Sequence, residues 1–175
     1  MLPIEQSCYW LARRPPRDAS RLEAAREADV AIVGAGLTGL WTALFLKELE
    51  PALEIAVVEQ GLAAHGGSGR NAGILSETVD HSHGLAIRHF GDAEARRLAH
   101  LGKTNVAELV QFLSERRVHC DYEPTGRLLV ALTSAHLEEA WRAVETARAL
   151  GLDGFSLLDR DAIREELDSP LYLGG

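Results

Sequence analysis

The chain has 175 residues, 46% of them hydrophobic and 25% charged, an ordinary globular composition whose length suits one domain, or one domain and part of another. A formal net charge of −8 excludes a general nucleic-acid surface, because an acidic field repels phosphate backbones. No apolar run reaches the roughly 18 residues that span a bilayer, and the N-terminus lacks a basic stretch followed by an apolar one, so a cytoplasmic, soluble protein without a membrane span is expected.

Residues 1–27 carry Pro3, Pro15 and Pro16, the arginines Arg13, Arg14 and Arg17, and no sustained periodicity. They read as an extended arm, with a short helical turn near Arg21–Glu27. Tyr9 and Trp10 are the large aromatic pair of this arm and are expected to pin it to the domain surface rather than to stack on a ligand.

Residues 29–59 read as strand, glycine-rich turn, helix, strand. Val30, Ile32 and Val33 form the first β-rich run, and Ile55, Val57 and Val58 the second. Between them lie Gly34, Gly36 and Gly39 in the G-x-G-x-x-G spacing. Gly34 allows a sharp turn out of the strand, Gly36 lets backbone approach a pyrophosphate, and Gly39 lets the helix pack close to the sheet. The pyrophosphate then faces the N–H groups and positive dipole end of a helix beginning near Leu37. Glu59 lies 20 residues beyond Gly39 (59 − 39), where a carboxylate accepts hydrogen bonds from the ribose hydroxyls. The unit is a dinucleotide site; which dinucleotide it takes is open at this point. The helix ends near Leu49–Glu50 because Pro51 cannot continue it, and Trp41 and Phe45 are expected to pack against neighbouring elements.

After Glu59 comes a run with five glycines in thirteen residues (61, 66, 67, 69 and 73). Such backbone passes close to something, although composition alone also fits a flexible surface loop. Ser68 is a candidate N-cap for a short helical turn, and Arg70 is placed to meet a phosphate or carboxylate. His81, His83 and His89 lack the acidic or cysteine partners of a metal centre and read as solvent-facing, so no metal site is expected.

From Asp92 to Arg117 the pattern is helical, with Leu98, Leu101, Val106, Leu109 and Leu113 on one broad face. Residues 118–132 change period: Val118, Cys120 and Tyr122 alternate, residues 123–126 form a turn and 127–132 a second strand. This predicts an antiparallel hairpin outside the dinucleotide-binding sheet. Cys8 and Cys120 are too few for a disulfide framework and read as free thiols, Cys120 as a buried structural one. A further helix is expected over about Ser134–Leu150, with Leu137, Ala140, Trp141 and Val144 inward and Gly151 as its stop. A short strand at Phe155–Leu158 and a helix capped by Asp159 complete the chain, with Leu158 and Ile163 as a hydrophobic staple.

The pair Gly34-Ala-Gly-Leu-Thr-Gly39…Glu59 and His65-Gly-Gly-Ser-Gly-Arg-Asn-Ala-Gly73 resembles the FAD-dependent oxidoreductases of the D-amino-acid oxidase superfamily, in the branch of glycine, sarcosine and gamma-glutamylputrescine oxidases. Cys120-Asp-Tyr-Glu-Pro-Thr-Gly-Arg-Leu-Leu-Val-Ala and the aromatic arm are similar to the same branch. The resemblance implies an α/β fold: a Rossmann-type FAD-binding βαβ unit with helices, plus the start of an α+β substrate domain containing the hairpin. It implies an arm over 1–27, the FAD-binding unit and glycine-rich loop over 28–91, and an incomplete substrate or cap domain over 92–175.

By the same resemblance, Gly34, Ala35, Gly36, Thr38 and Gly39 wrap the FAD pyrophosphate and Glu59 holds the adenosine ribose. Ser68, Gly69, Arg70, Asn71, Ala72 and Gly73 run beside the pyrophosphate, ribityl chain and flavin. Ala72 departs from the glycine that many relatives carry. The implied activity is oxidation of the C–N bond of an amine or amino acid, with no catalytic residue assigned. Family members are more than twice this length, so a fragment is expected, with uncovered apolar faces that a C-terminal half or an oligomer partner would bury. The alternatives are an NAD-binding dehydrogenase domain and a catalytically silent dinucleotide-binding fragment or interaction module.

Overall fold

The computed structural model describes residues 7–13, 20–78 and 82–175; Pro3, Arg14, Pro15, Pro16, Arg17 and His81 lie outside them. The chain divides into two compact units, one up to Ile74 and one from Leu75 onward.

The first unit contains helix α1 (Tyr9–Arg13), strand β1 (Val30–Val33), helix α2 (Leu37–Leu49), strand β2 (Ile55–Val58) and the short helical turn α3 (Gly67–Arg70). The β-branched residues of both strands favour extended backbone. They pair in parallel, with Val30 opposite Ile55 and Val33 opposite Val58. Register is fixed at the entry. The Asp29 carboxylate accepts from the Glu54 N–H at 2.8 Å, while the Val30 N–H donates to the Glu54 carbonyl at 3.2 Å. Helix α2 stops as Pro51 requires: the Glu50 N–H still donates to Leu46 O, and Lys47 Nζ then caps the carbonyls of Pro51 and Leu53 at 2.6 and 3.0 Å.

A Cβ built on Gly39 would lie 2.0 Å from Gly34 O, so α2 and the end of β1 meet backbone to backbone, as the third glycine of the motif requires. Trp41 and Phe45 stack on each other at 5.3 Å between ring centroids. No side chain of β1, α2 or β2 is fully buried, and Val33, Leu40, Phe45 and Leu49 are exposed. The arm corrects the sequence reading twice. Tyr9–Arg13 is helical rather than extended, and residues 21–27 form no helical turn.

The second unit contains helix α4 (His83–Glu115), helix α5 (Ser134–Ala149) and helix α6 (Arg160–Glu166). Helix α4 begins before the expected Asp92, capped by Ser82 Oγ on the Leu85 N–H at 3.3 Å, and breaks at Gly91, where φ is 78°. Thr133 Oγ1 caps α5 by accepting from the His136 N–H, and Asp159 caps α6 on the Asp161 and Ala162 N–H groups. The core joins Ala95 and Ala99 of α4 to Ala147, Leu150 and Leu152. Alanines make this seam. Leu101 and Trp141, expected inside, are exposed, because small side chains let the two helices approach and leave the bulky ones on the flanks.

Three residues of α4 meet the C-terminal end of α5. Arg96 Nη2 donates to Ala149 O at 2.6 Å, His100 Nε2 lies 3.2 Å from Leu150 O, and Lys103 pairs with Asp153. Gly151, at φ 76°, closes the helix with its N–H on Arg148 O and the Leu152 N–H on Ala147 O. Gly151→Ala is expected to lower the unfolding free energy by about 1 kcal/mol or slightly more, read by thermal denaturation, since an L side chain is strained at that φ.

Residues 118–132 do not form the predicted hairpin. Arg117 and Asp121 take positive φ values of 52° and 53°, which break extended pairing, and Pro124 has no N–H to give to a ladder. Ala131 instead pairs antiparallel with Gly174. The segment 155–158 forms no strand either; Leu158 alone pairs, exchanging hydrogen bonds with Gly175 at 2.7 and 3.0 Å. Alternation marks Val118, Cys120 and Tyr122, but the partners that Ala131 and Leu158 find are distant in sequence. Cys120 is exposed rather than buried. His83 is half-buried edge-on to Phe155, against the solvent-facing expectation, while His89 is exposed as expected.

Candidate functional site

Chemistry-bearing residues converge where β1 turns into α2 and β2 runs into the second glycine-rich segment. The Gly34 N–H donates to Val58 O at 2.7 Å, extending the β1–β2 ladder to the tip of the turn. There the buried Ala35 is held from two sides: its N–H donates to Glu59 Oε2 at 2.9 Å, and its carbonyl accepts from the Ala64 N–H at 2.9 Å. The other Glu59 oxygen accepts from the Gly61 N–H at 3.1 Å. The carboxylate at the end of β2 therefore closes the first glycine loop as well as presenting charge.

The Ala35 and then the Gly61 N–H hold the Glu59 carboxyl below the usual carboxylate range, against an opposing effect of burial. The stabilisation this gives is complete above the unfolded-state value and is lost as pH falls through the depressed folded-state value. Glu59→Ala is expected to remove that part of the acid sensitivity, seen by circular dichroism during acid titration. An unaltered acid transition would contradict it.

The second loop is tied to the first by Ser68. Its Oγ accepts from the Leu37 N–H at 2.9 Å, across the N-terminus of α2. This corrects the expected N-cap role: α3 spans Gly67–Arg70, its cap position is Gly66, and Ser68 reaches outward to α2. A Cβ on Gly36 would lie 2.9 Å from Ser68 Oγ, so a side chain there displaces the hydroxyl that joins the two loops. Asn71 braces the following turn, donating from Nδ2 to Ser68 O at 2.6 Å and accepting the Gly73 N–H at Oδ1 at 2.8 Å. Arg70 Nε donates to Gly66 O at 3.2 Å.

Between the loops is a cavity of about 400 Å³ bounded by Gly36, Glu59, Gly61, Ser68 and Arg70. A larger, open cavity of about 710 Å³ lies between the arm and the second loop and is lined by Tyr9, Trp10, Arg70, Asn71 and Ala72. Gly36, Glu59, Ser68 and Arg70 are thus brought together around the first cavity, Ala35 is bonded to Glu59 beside it, and Arg70, Asn71 and Ala72 border the second. Thr38 stands exposed in the first turn of α2, its carbonyl accepting from Thr42 Oγ1. Gly39 faces Gly34, Gly69 packs on Ala64, and Gly73 packs on Trp10. Sequence reasoning missed Ala64, which lines this cavity and donates its N–H to Ala35 O. It also missed which surface receives the arm.

No helix among the described residues is long and apolar enough to cross a membrane. Among them, no three or more His, Cys, Asp or Glu residues gather as a metal site.

Residues 29–175 match the family described as "FAD dependent oxidoreductase" (DAO). The chain is 32% identical over 146 residues to gamma-glutamylputrescine oxidoreductase of Escherichia coli (strain K12), covering 83% of this chain and 34% of that protein. It is 24% identical over 171 residues to the probable oxidoreductase OrdL of Haemophilus influenzae, covering 97% and 39%. With the mitochondrial L-2-hydroxyglutarate dehydrogenase of Homo sapiens it shares 26% over 155 residues, covering 87% and 30%. The chain therefore spans between 30% and 39% of the length of these relatives.

The residues present fit the family's cofactor. The cavity offers a carboxylate, a guanidinium, and glycine backbone where a Cβ would intrude, the donor and acceptor set that a dinucleotide requires. The NAD alternative falls away with the family, and the parallel βαβ unit agrees with the Rossmann-type expectation. The chain belongs to the DAO family of FAD-dependent oxidoreductases.

Proposed function

We propose that this chain is the FAD-binding part of an oxidoreductase that oxidises the C–N bond of an amine or amino acid. One observation carries the cofactor assignment: two glycine loops, joined by the Ser68–Leu37 hydrogen bond, enclose a cavity with the Glu59 carboxylate at its edge. In this reading Gly34, Ala35, Gly36, Thr38 and Gly39 receive the pyrophosphate at the N-terminus of α2. Glu59 accepts hydrogen bonds from the adenosine ribose, and Ser68, Gly69, Arg70, Asn71, Ala72 and Gly73 run beside the pyrophosphate, ribityl chain and flavin. Bound FAD supplies the hydride-accepting chemistry; the residues of this chain bind it, orient it and set the charge around it. Glu59→Ala is expected to raise the Kd for FAD roughly ten- to a hundredfold, the scale of a lost charge-assisted hydrogen bond, by calorimetry.

The substrate class rests on the likeness to gamma-glutamylputrescine oxidoreductase, which by its name acts on an amine. The weaker likeness to L-2-hydroxyglutarate dehydrogenase favours a second reading, oxidation of a 2-hydroxy acid. The experiment is anaerobic addition of amines, amino acids and 2-hydroxy acids to the FAD-loaded protein while the visible flavin band is followed. Bleaching by an amine or amino acid supports C–N oxidation, and bleaching by 2-hydroxy acids alone overturns it. A chain that holds FAD and is bleached by none is a cofactor-holding module without catalysis of its own.

A further inference from the structure

The arm meets the rest of its unit at the second glycine loop. Trp10 Nε1 donates to Asn71 O at 2.8 Å. A Cβ on Gly73 would lie 2.5 Å from Trp10 Cζ2, so the indole rests directly on that backbone. Beside it, the buried Leu11 has its Cδ2 3.5 Å from where a Cβ on Gly69 would sit, and Cys8 Sγ lies 3.6 Å from Gly69 O. Arm residues thus meet the loop at 69, 71 and 73, while Ser68 faces the opposite way to α2.

We infer that Trp10 is a positioning residue of the FAD site, its indole N–H and ring fixing the backbone of Asn71–Gly73 in the orientation that receives the cofactor. This rests on the FAD reading above and extends it to the arm. The coupling is direct. The peptide that Trp10 holds belongs to Asn71, whose side chain closes the turn onto Ser68 and Gly73, and Ser68 in turn holds the first peptide of α2. Trp10 packs edge-on against Tyr9, ring centroids 4.9 Å apart, and spends its indole N–H on the loop backbone while 39% of its surface stays exposed.

The test is titration of the 175-residue chain with FAD, comparing wild type, Trp10→Phe and Trp10→Ala, with Kd from flavin fluorescence and the visible circular dichroism of the bound flavin. Phenylalanine keeps an aromatic side chain but removes the donor and the far edge of the indole that rests on Gly73. It should raise Kd at least about three- to tenfold, the worth of one hydrogen bond, with alanine weakening binding further. Both should alter the flavin's visible dichroism, a signature that loss of stability alone does not move, while the far-ultraviolet spectrum of Trp10→Phe stays that of the wild type. Wild-type Kd and wild-type visible dichroism in Trp10→Phe overturn the inference, and that variant decides the question if Trp10→Ala fails to fold. A wild-type chain that takes up no FAD overturns the FAD reading and this inference together; a wild type that binds while Trp10→Phe is indistinguishable from it overturns this inference alone.

Discussion

Gly36→Val is expected to raise the Kd for FAD by at least about a hundredfold, measured by calorimetry. Backbone strain is not the cause. Gly36 sits at φ −84° and ψ −174°, an extended conformation that valine adopts readily. The cause is space and the bond beside it. A Cβ at this position already lies 2.9 Å from Ser68 Oγ, and the two γ-methyl groups of valine would fill the approach to the N-terminus of α2. The side chain would push Ser68 off the Leu37 N–H, parting the loops, and would stand where the pyrophosphate approaches the backbone. Wild-type affinity in this variant would contradict the placement of the pyrophosphate.

Gly39→Ala is expected to destabilise the βαβ unit by about 3 kcal/mol, the upper range of overpacking costs. Its added methyl carbon would lie 2.0 Å from Gly34 O and 3.3 Å from Ile32 Cγ2, so relief requires α2 to move away from β1 as a body. The unit has little packing to spare, since no side chain of α2 is fully buried. Thermal unfolding followed by circular dichroism reads the effect. An unchanged melting temperature would mean that helix and strand do not meet in backbone contact.

These two glycines also mark what was legible in the sequence. The motif from Gly34 to Glu59 is local: strand, turn, helix and strand follow one another, and the bonds that set its register and its turn, Glu54 to Asp29, Gly34 to Val58 and Ala35 to Glu59, join residues of one βαβ unit. The same holds for the caps at Asp159 and Gly151, whose partners lie within a few residues. The alternation over residues 118–132 read as a hairpin because a turn at Gly126 offered a local partner. The actual partner of Ala131 is Gly174, 43 residues away (174 − 131), and no short-range pattern encodes that pairing. Helix faces failed for a related reason. Apolar periodicity marks which side of α4 is hydrophobic but not that alanines rather than leucines form its seam with α5, which depends on how closely the two approach.

In the site, residue types and spacing named the carboxylate and the glycines, and the resemblance supplied the rest of the second loop. Neither foresaw that Ser68 would bridge to α2 or that Ala64 would hold Ala35, because both bonds form only when the two loops are folded against each other.

Parallel titrations of the wild-type chain with FAD and with NAD decide whether these loops hold FAD. Saturable binding of one FAD per chain, with quenching of flavin fluorescence and no comparable binding of NAD, is the expected result. A chain that remains unliganded in excess FAD, or that binds NAD more tightly, would contradict it.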